Sequence, residues 1–283
     1  MSARGSVGSA ENAARRAGNS DALENLARVG LIAYGLVHVL VAWLALQLAW
    51  GGGSGRSADQ SGAMSTVAQQ PLGKPLLWVL ALGLVALAAW QAAEVLRWRS
   101  GWSASGDARK QALGKTLKSI SKAIVYLGLA VLAIRFATGG GQSSSQQQQQ
   151  TTAGVFSWPG GRFLIGIAGL VIAGVGIYHV VKGVTKRFLK EIDLGEAPQQ
   201  AVRLITRLGQ VGYPAKGVAL GLVGGLLAYA AITFDPAKAS GLDGAMRAIL
   251  QAPFGRLLLT LVAIGIATFG AYCFARARYP ERT

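Results

Sequence analysis

Residues 253–278, PFGRLLLTLVAIGIATFGAYCFARAR, carry an unbroken uncharged run from Leu257 to Ala275 between Arg256 and Arg276. As a helix rising 1.5 Å per residue that run is about 28 Å long, which matches the hydrocarbon core of a bilayer. A lone segment in hydrocarbon satisfies its backbone N–H and C=O groups only as a helix, and the run lacks the apolar-polar alternation of a barrel strand. The stretch therefore reads as a membrane-spanning helix.

Its opening tetrapeptide occurs three times: Pro71-Leu72-Gly73-Lys74, Pro159-Gly160-Gly161-Arg162 and Pro253-Phe254-Gly255-Arg256. Each proline is followed 19 positions later by an aromatic residue, Trp90, Tyr178 or Tyr272. Each tetrapeptide also follows a further apolar stretch, so the chain is a hydrophobic hairpin written three times. Spans are expected near Gly30 to Ala49, Pro75 to Leu96, Ser119 to Thr138, Phe163 to Lys182, Gly209 to Phe234 and Leu257 to Ala275. The fold class is all-α: a polytopic membrane protein with six transmembrane helices, arranged as three parallel hairpins about a pseudo-threefold axis. Residues 1–22 read as a disordered cytoplasmic tail, 23–100 as repeat one, 101–190 as repeat two with an amphipathic lead-in, and 200–280 as repeat three. The third span is the most polar, and its Lys122 and Arg135 are expected to snorkel to opposite headgroup layers unless Arg135 faces protein.

Composition agrees: 52% of the 283 residues are hydrophobic and 14% charged, too apolar for an ordinary water-facing surface. The formal net charge of +16 does not indicate nucleic acid, because the basic residues punctuate the apolar stretches instead of gathering on one aromatic-rich face. Counted by side, 21 of the 28 Lys and Arg residues fall with the two termini, which places both termini in the cytoplasm of a cell (plasma or inner) membrane. The single cysteine, Cys273, excludes an intrachain disulfide and a cysteine metal cluster. Gly51–Gly55, Gly139–Gly141 and the glutamine run 146–150 are expected to be mobile outer loops. Gly53-Ser54-Gly55-Arg56 lacks the Lys-Ser or Lys-Thr of a phosphate cradle.

The repeat extends to the first span of each hairpin. Ala27-Arg28-Val29-Gly30 with Tyr34 aligns on Thr206-Arg207-Leu208-Gly209 with Tyr213, and Tyr126 marks the same place in copy two. Gly62-Ala63-Met64 precedes Pro71 as Gly244-Ala245-Met246 precedes Pro253, an element copy two lacks. Small residues at three- or four-residue spacing, Gly217, Gly221 and Gly225 on span five and Gly166, Gly169, Ala173 and Gly176 on span four, would let helices approach closely. This threefold pattern, covering residues 23 to 280, resembles the actinobacterial membrane family described as domain of unknown function 1206. The resemblance implies three tandem two-helix modules and supplies no activity.

Intramembrane polar positions are the candidates for chemistry. A histidine pair on facing helices could ligate a haem, but His38 is expected deep in span one and His179 within a turn of the end of span four, so no cofactor and no metal site is expected. Glu94, Lys182 and Arg276 stand at corresponding positions, 23 residues after each repeat proline, and would meet near the cytoplasmic mouth unless Glu94 pairs locally with Arg97. Tyr34, Tyr126 and Tyr213, with His38, would line the axis. Leu113, Leu117, Ile120 and Ile124, with Lys110, Lys115, Lys118 and Lys122 around them, form a basic amphipathic segment expected to attract anionic lipid at the inner leaflet. The proline of each tetrapeptide suits a first helical turn, and its Lys or Arg could reach outer headgroups. No catalytic triad or zinc motif occurs, so the chain is expected to be a non-enzymatic structural, assembly or lipid-interacting component. Its expected partners are lipid and other membrane proteins, not nucleic acid. The alternative is a small-solute or ion transporter working along the axis.

Overall fold

The computed structural model of the chain describes residues 21–51, 55–195 and 197–279, so nearly all of the expected N-terminal tail lies outside the described residues. Among them are nine α-helices: α1 (Asp21–Trp50), α2 (Gln60–Ala68), α3 (Gly73–Trp98), α4 (Gly106–Ala137), α5 (Ser144–Phe156), α6 (Gly161–Val184), α7 (Gln199–Thr233), α8 (Gly241–Gln251) and α9 (Gly255–Arg278). Six of these, α1, α3, α4, α6, α7 and α9, are long and apolar enough to cross a bilayer, which makes this a multi-pass membrane protein. Helix α6 shows why: Phe163, Leu170, Ile177 and Val184 are each about two-thirds exposed or more, a continuous apolar stripe that only lipid tails would cover.

The six long helices stand in the order α4, α3, α1, α9, α7, α6, each packed on the next. The most extensive contacts join different repeats, α6 with α7, α9 with α1, and α3 with α4. Within repeats, α1 packs on α3 and α7 on α9, but α4 and α6 form no comparable interface among the described residues. The ring is therefore open between the two helices of the middle hairpin.

The tightest seam, α6 on α7, depends on glycine. A Cβ at Gly176 would lie 2.6 Å from the Gly217 carbonyl oxygen, and one at Gly169 would lie 2.8 Å from that of Gly224. Gly224 rather than Gly225 continues the seam, because a helix returns to the same face after three or four residues and the step from Gly217 to Gly224 is two full turns. Gly225 instead faces outward with nothing within 4 Å of its would-be Cβ.

The outer connections correct the expectation of a mobile loop for the glutamine run, while most of Gly51–Gly55 lies outside the described residues. Each repeat carries a short helix there, α2, α5 and α8, and α5 contains the whole glutamine run. Copy two thus lacks the Gly-Ala-Met wording but keeps the helix. The Ser143 hydroxyl accepts from the Gln146 N–H as an N-cap, satisfying a donor that the helix start leaves open. Hydrogen bonds then tie the three outer segments together: Ala58 N donates to Asp243 Oδ1 at 2.7 Å, Ser144 N to Ser61 Oγ at 3.0 Å, and Ser145 Oγ to the Ser240 carbonyl at 2.7 Å. Polar side chains that could not build an apolar core thus order themselves by mutual hydrogen bonding.

The repeat tetrapeptide is also placed differently from expectation. Each span begins at its glycine, after a left-handed residue, Leu72, Gly160 or Phe254, so the proline precedes the first turn. Gly73, Gly161 and Gly255 are required because a Cβ there would collide with the carbonyls of Val67, Val155 and Leu250. Arg162 does not reach for headgroups: its Nε donates to the Ala231 carbonyl at 2.8 Å, capping the end of α7. The expected lead-in to span three is continuous with it in α4, since nothing between Gly106 and Ala137 breaks the helix.

The seam makes a discriminating prediction. Gly217→Ala should destabilise the detergent-solubilised protein by about 1–3 kcal/mol through overpacking, whereas Gly225→Ala should leave the melting temperature unchanged or slightly raised. Thermal unfolding of the two variants side by side checks it.

Candidate functional site

At the end of the bundle that carries the chain termini, the connection between α6 and α7 folds back under the helices. Lys186 adopts a left-handed conformation (φ 57°) that reverses the chain into a 3-10 turn, Arg187–Glu191. The turn is amphipathic: Phe188 is fully buried, and Glu191 is only 5% exposed. The Phe188 ring occupies the space a side chain at Gly209 would need, stacks on Tyr213 at 5.4 Å and meets the Tyr272 ring edge-on at 5.4 Å. Tyr272 Oη donates to the Phe188 carbonyl at 3.0 Å, satisfying a backbone group that burial would otherwise leave bare. This packing fixes where Glu191 points.

Four cations converge on its carboxylate. Lys118 Nζ lies 2.6 Å from Oε1 and Lys122 Nζ 3.9 Å, both from α4. Lys182 of α6 lies 2.8 Å and Arg276 of α9 3.7 Å from Oε2. Tyr213 of α7 adds a hydrogen bond, its Oη donating to Oε2 at 3.2 Å and accepting from Lys182 at 3.1 Å. Burial by itself would push the Glu191 carboxyl up; the guanidinium of Arg276 and the three ammoniums outweigh it and hold the group well below the usual carboxylate range.

Above this cluster two of the repeat tyrosines meet, and Phe269 links them to the third. Tyr34 lies edge-on to Tyr126 at 5.7 Å and to Phe269 at 6.2 Å, and Tyr213 lies edge-on to Phe269 at 5.2 Å. His38 packs on Tyr34 at 4.3 Å and bonds the Tyr34 carbonyl through Nδ1 at 2.8 Å. Lys216 of α7 donates to Tyr34 Oη at 2.6 Å and sits 4.2 Å over the Phe269 ring.

Three separate tracts of the chain, residues 29–97, 117–186 and 211–280, match the family model described as Domain of Unknown Function (DUF1206). The chain belongs to the DUF1206 family. It is also similar to the uncharacterized protein YxxB of Bacillus subtilis (strain 168), 30% identical over 261 residues that cover 92% of each chain. No solved structure matches.

The DUF1206 repeats supply equivalent positions that the fold uses unequally. Of Glu94, Lys182 and Arg276, the latter two meet on Glu191, but Glu94 does not join them. It pairs within its own helix, 2.9 Å from Arg97, because α3 stands on the far side of α1 from α9. Lys122 turns inward to Glu191 instead of snorkelling, and Arg135 is exposed. His179 bonds the Val175 carbonyl and stacks on Tyr213 at 5.9 Å, without ring contact to His38 among the described residues. Among the described residues no three His, Cys, Asp or Glu side chains cluster as metal ligands. Glu191 itself escaped the reading from sequence. The available signal was a Phe and a Glu three residues apart, an apolar-acidic pair flanked by Lys186, Arg187 and Lys190.

Glu191→Gln should destabilise the protein by about 3–5 kcal/mol, because it leaves buried cations uncompensated. The linkage sign follows from the lowered carboxyl: its stabilisation is fully present above the ordinary value of 4.5 and is lost only as pH falls through the lower folded value. The wild-type melting temperature should therefore gain nothing from this group between pH 5 and 7 and fall in stronger acid, a drop the Gln variant should lack.

Proposed function

We propose that the protein is a non-catalytic component of the cell membrane, with cytoplasmic termini, that binds anionic lipid at its terminus-side face. The observation that carries this reading is the charge imbalance around Glu191, one carboxylate among four cations at the ends of the spans. The side chains of Lys118 and Lys122 remain 45% and 26% exposed, so both can still meet an external anion. They lie on α4 beside the open side of the ring, next to exposed Leu117, Ile120 and Ile124. A phosphate headgroup level with the lysines and an acyl chain along the apolar rows would satisfy both surfaces at once. The side-to-side bias of Lys and Arg supports the orientation.

A small-solute or ion transporter is the second reading, favoured by the aromatic cluster in which Phe269 joins Tyr34, itself against Tyr126, to Tyr213. Flux measured in proteoliposomes against a solute panel separates the two.

For the lipid reading, the double variant Lys118→Gln/Lys122→Gln should weaken binding of phosphatidylglycerol, measured against phosphatidylcholine by native mass spectrometry, by roughly 30-fold, at about 1 kcal/mol per lysine. Equal retention by wild type and double variant would overturn the reading. A cytoplasmic signal from a reporter fused to the C-terminus is the expected result for orientation.

A further inference from the structure

Where the short outer helices meet, one acidic side chain is shielded from water with too few partners. Asp59, the N-cap of α2, is 0% exposed. Both hydrogen bonds it receives end on Oδ1, from Gly62 N at 2.9 Å and from Ser61 Oγ at 2.5 Å. Its other oxygen, Oδ2, is buried and has no hydrogen-bond partner. An ionised carboxylate spreads its charge over both oxygens, so a bare buried oxygen opposes ionisation, whereas a proton there removes the charge.

The same residue stands at the junction of all three copies. Ser144 N of α5 donates to Ser61 Oγ, and Ser61 donates its own O–H to Asp59. Next to Asp59, Ala58 N donates to Asp243 Oδ1 of α8. Copy three holds Asp243 where copy one holds Ser61, one residue before Gly-Ala-Met, and this brings a second carboxylate to the α2–α8 contact. The cations nearby are engaged or turned outward. Arg247 of α8 bonds Asp243 Oδ2 at 2.8 Å, Arg56 bonds Gln69, and Lys74 of α3 and Arg135 of α4 are exposed. Neither α5 nor the outer half of α1 carries a titratable side chain. Among the described residues no cation pairs with Asp59. Burial pushes its carboxyl up against the bonds from Ser61 and Gly62, and the Asp243 carboxylate pushes the same way as burial.

We propose that Asp59 is a proton-binding site whose proton latches the outer ends of the three repeats together. Protonated, the side chain is a neutral cap, and α2 stays against α5 and α8. Ionised, it places a second negative charge by Asp243 with no cation to offset it, and release of α2 lets water reach Oδ2. With the termini in the cytoplasm the latch faces outward and tightens as the external medium acidifies. The protonation itself depends neither on that orientation nor on the lipid reading.

The sign of the pH effect follows from the raised carboxyl. The latch is tightest below the ordinary value of 3.8 and weakens as pH rises toward the folded value. The test is hydrogen exchange of the purified full chain in neutral detergent, read by mass spectrometry from about pH 4 to 9 and corrected for the intrinsic rate. In wild type, protection of residues 59–68 and 241–251 should fall by up to about tenfold per pH unit and level off once Asp59 ionises in the closed form. Asp59→Asn, a neutral isostere, should remove that fall and leave α6 as protected as before. Should Asp59→Asn not fold, Asp243→Asn, which removes the neighbouring charge, should make protection level off at a lower pH. Wild-type protection indifferent to pH, the same fall in Asp59→Asn, or an unmoved plateau in Asp243→Asn would overturn the proposal. Recovery of protection by sodium or calcium chloride at high pH would put a metal cation on Oδ2 and overturn it as well.

Discussion

A carboxylate taken out of water must be surrounded by positive charge, and in this bundle a single one, Glu191, gathers cations from three different helices. Lys118 and Lys122 bring α4, Lys182 brings α6 and Arg276 brings α9 to the same point, and Tyr213 adds α7. Among the described residues α4 and α6 share no extensive interface, so Glu191 bridges the place where the ring is open. Each cation in turn needs the carboxylate, because unpaired charge at the edge of hydrocarbon is costly.

Triplication built the frame but not its contents. The short outer helix, the left-handed turn and the glycine that starts the next span recur in all three copies, since backbone geometry there leaves little freedom. Side chains at equivalent positions have diverged. Trp90, Tyr178 and Tyr272 occupy one repeat position, yet of the three only Tyr272 is fully buried, because the Phe188 turn packs beneath it. Lys216 has apolar counterparts in the other two copies. A buried aromatic cluster with one ammonium, Lys216, against Tyr34 and Phe269 is the outcome.

Much of the architecture was legible because it follows from local composition. Runs such as Leu257 to Ala275 announce themselves by length and lack of charge, and the tetrapeptide marks the register of the copies. Tyr34 and Tyr126 hold equal repeat positions and meet edge-on, whereas Tyr213 is linked to them through Phe269. What failed was any inference that needed to know neighbours. The glutamine run read as a mobile loop, and it is helical because Ser143 caps it and residues of the other two outer segments bond it. Glu94 read either as part of a threefold charge cluster or as the local partner of Arg97, and packing decides for Arg97.

By itself the sequence determined that six helices cross the membrane in three pairs of one polarity, because in hydrocarbon a chain has no other way to satisfy its own backbone. Only the tertiary structure decided which charges meet. The partners of Glu191 stand as far as 85 residues from it along the chain, and a pairing between such distant groups is set by how helices pack, through contacts like Gly176 on Gly217 and Phe188 on Gly209, which no local pattern encodes.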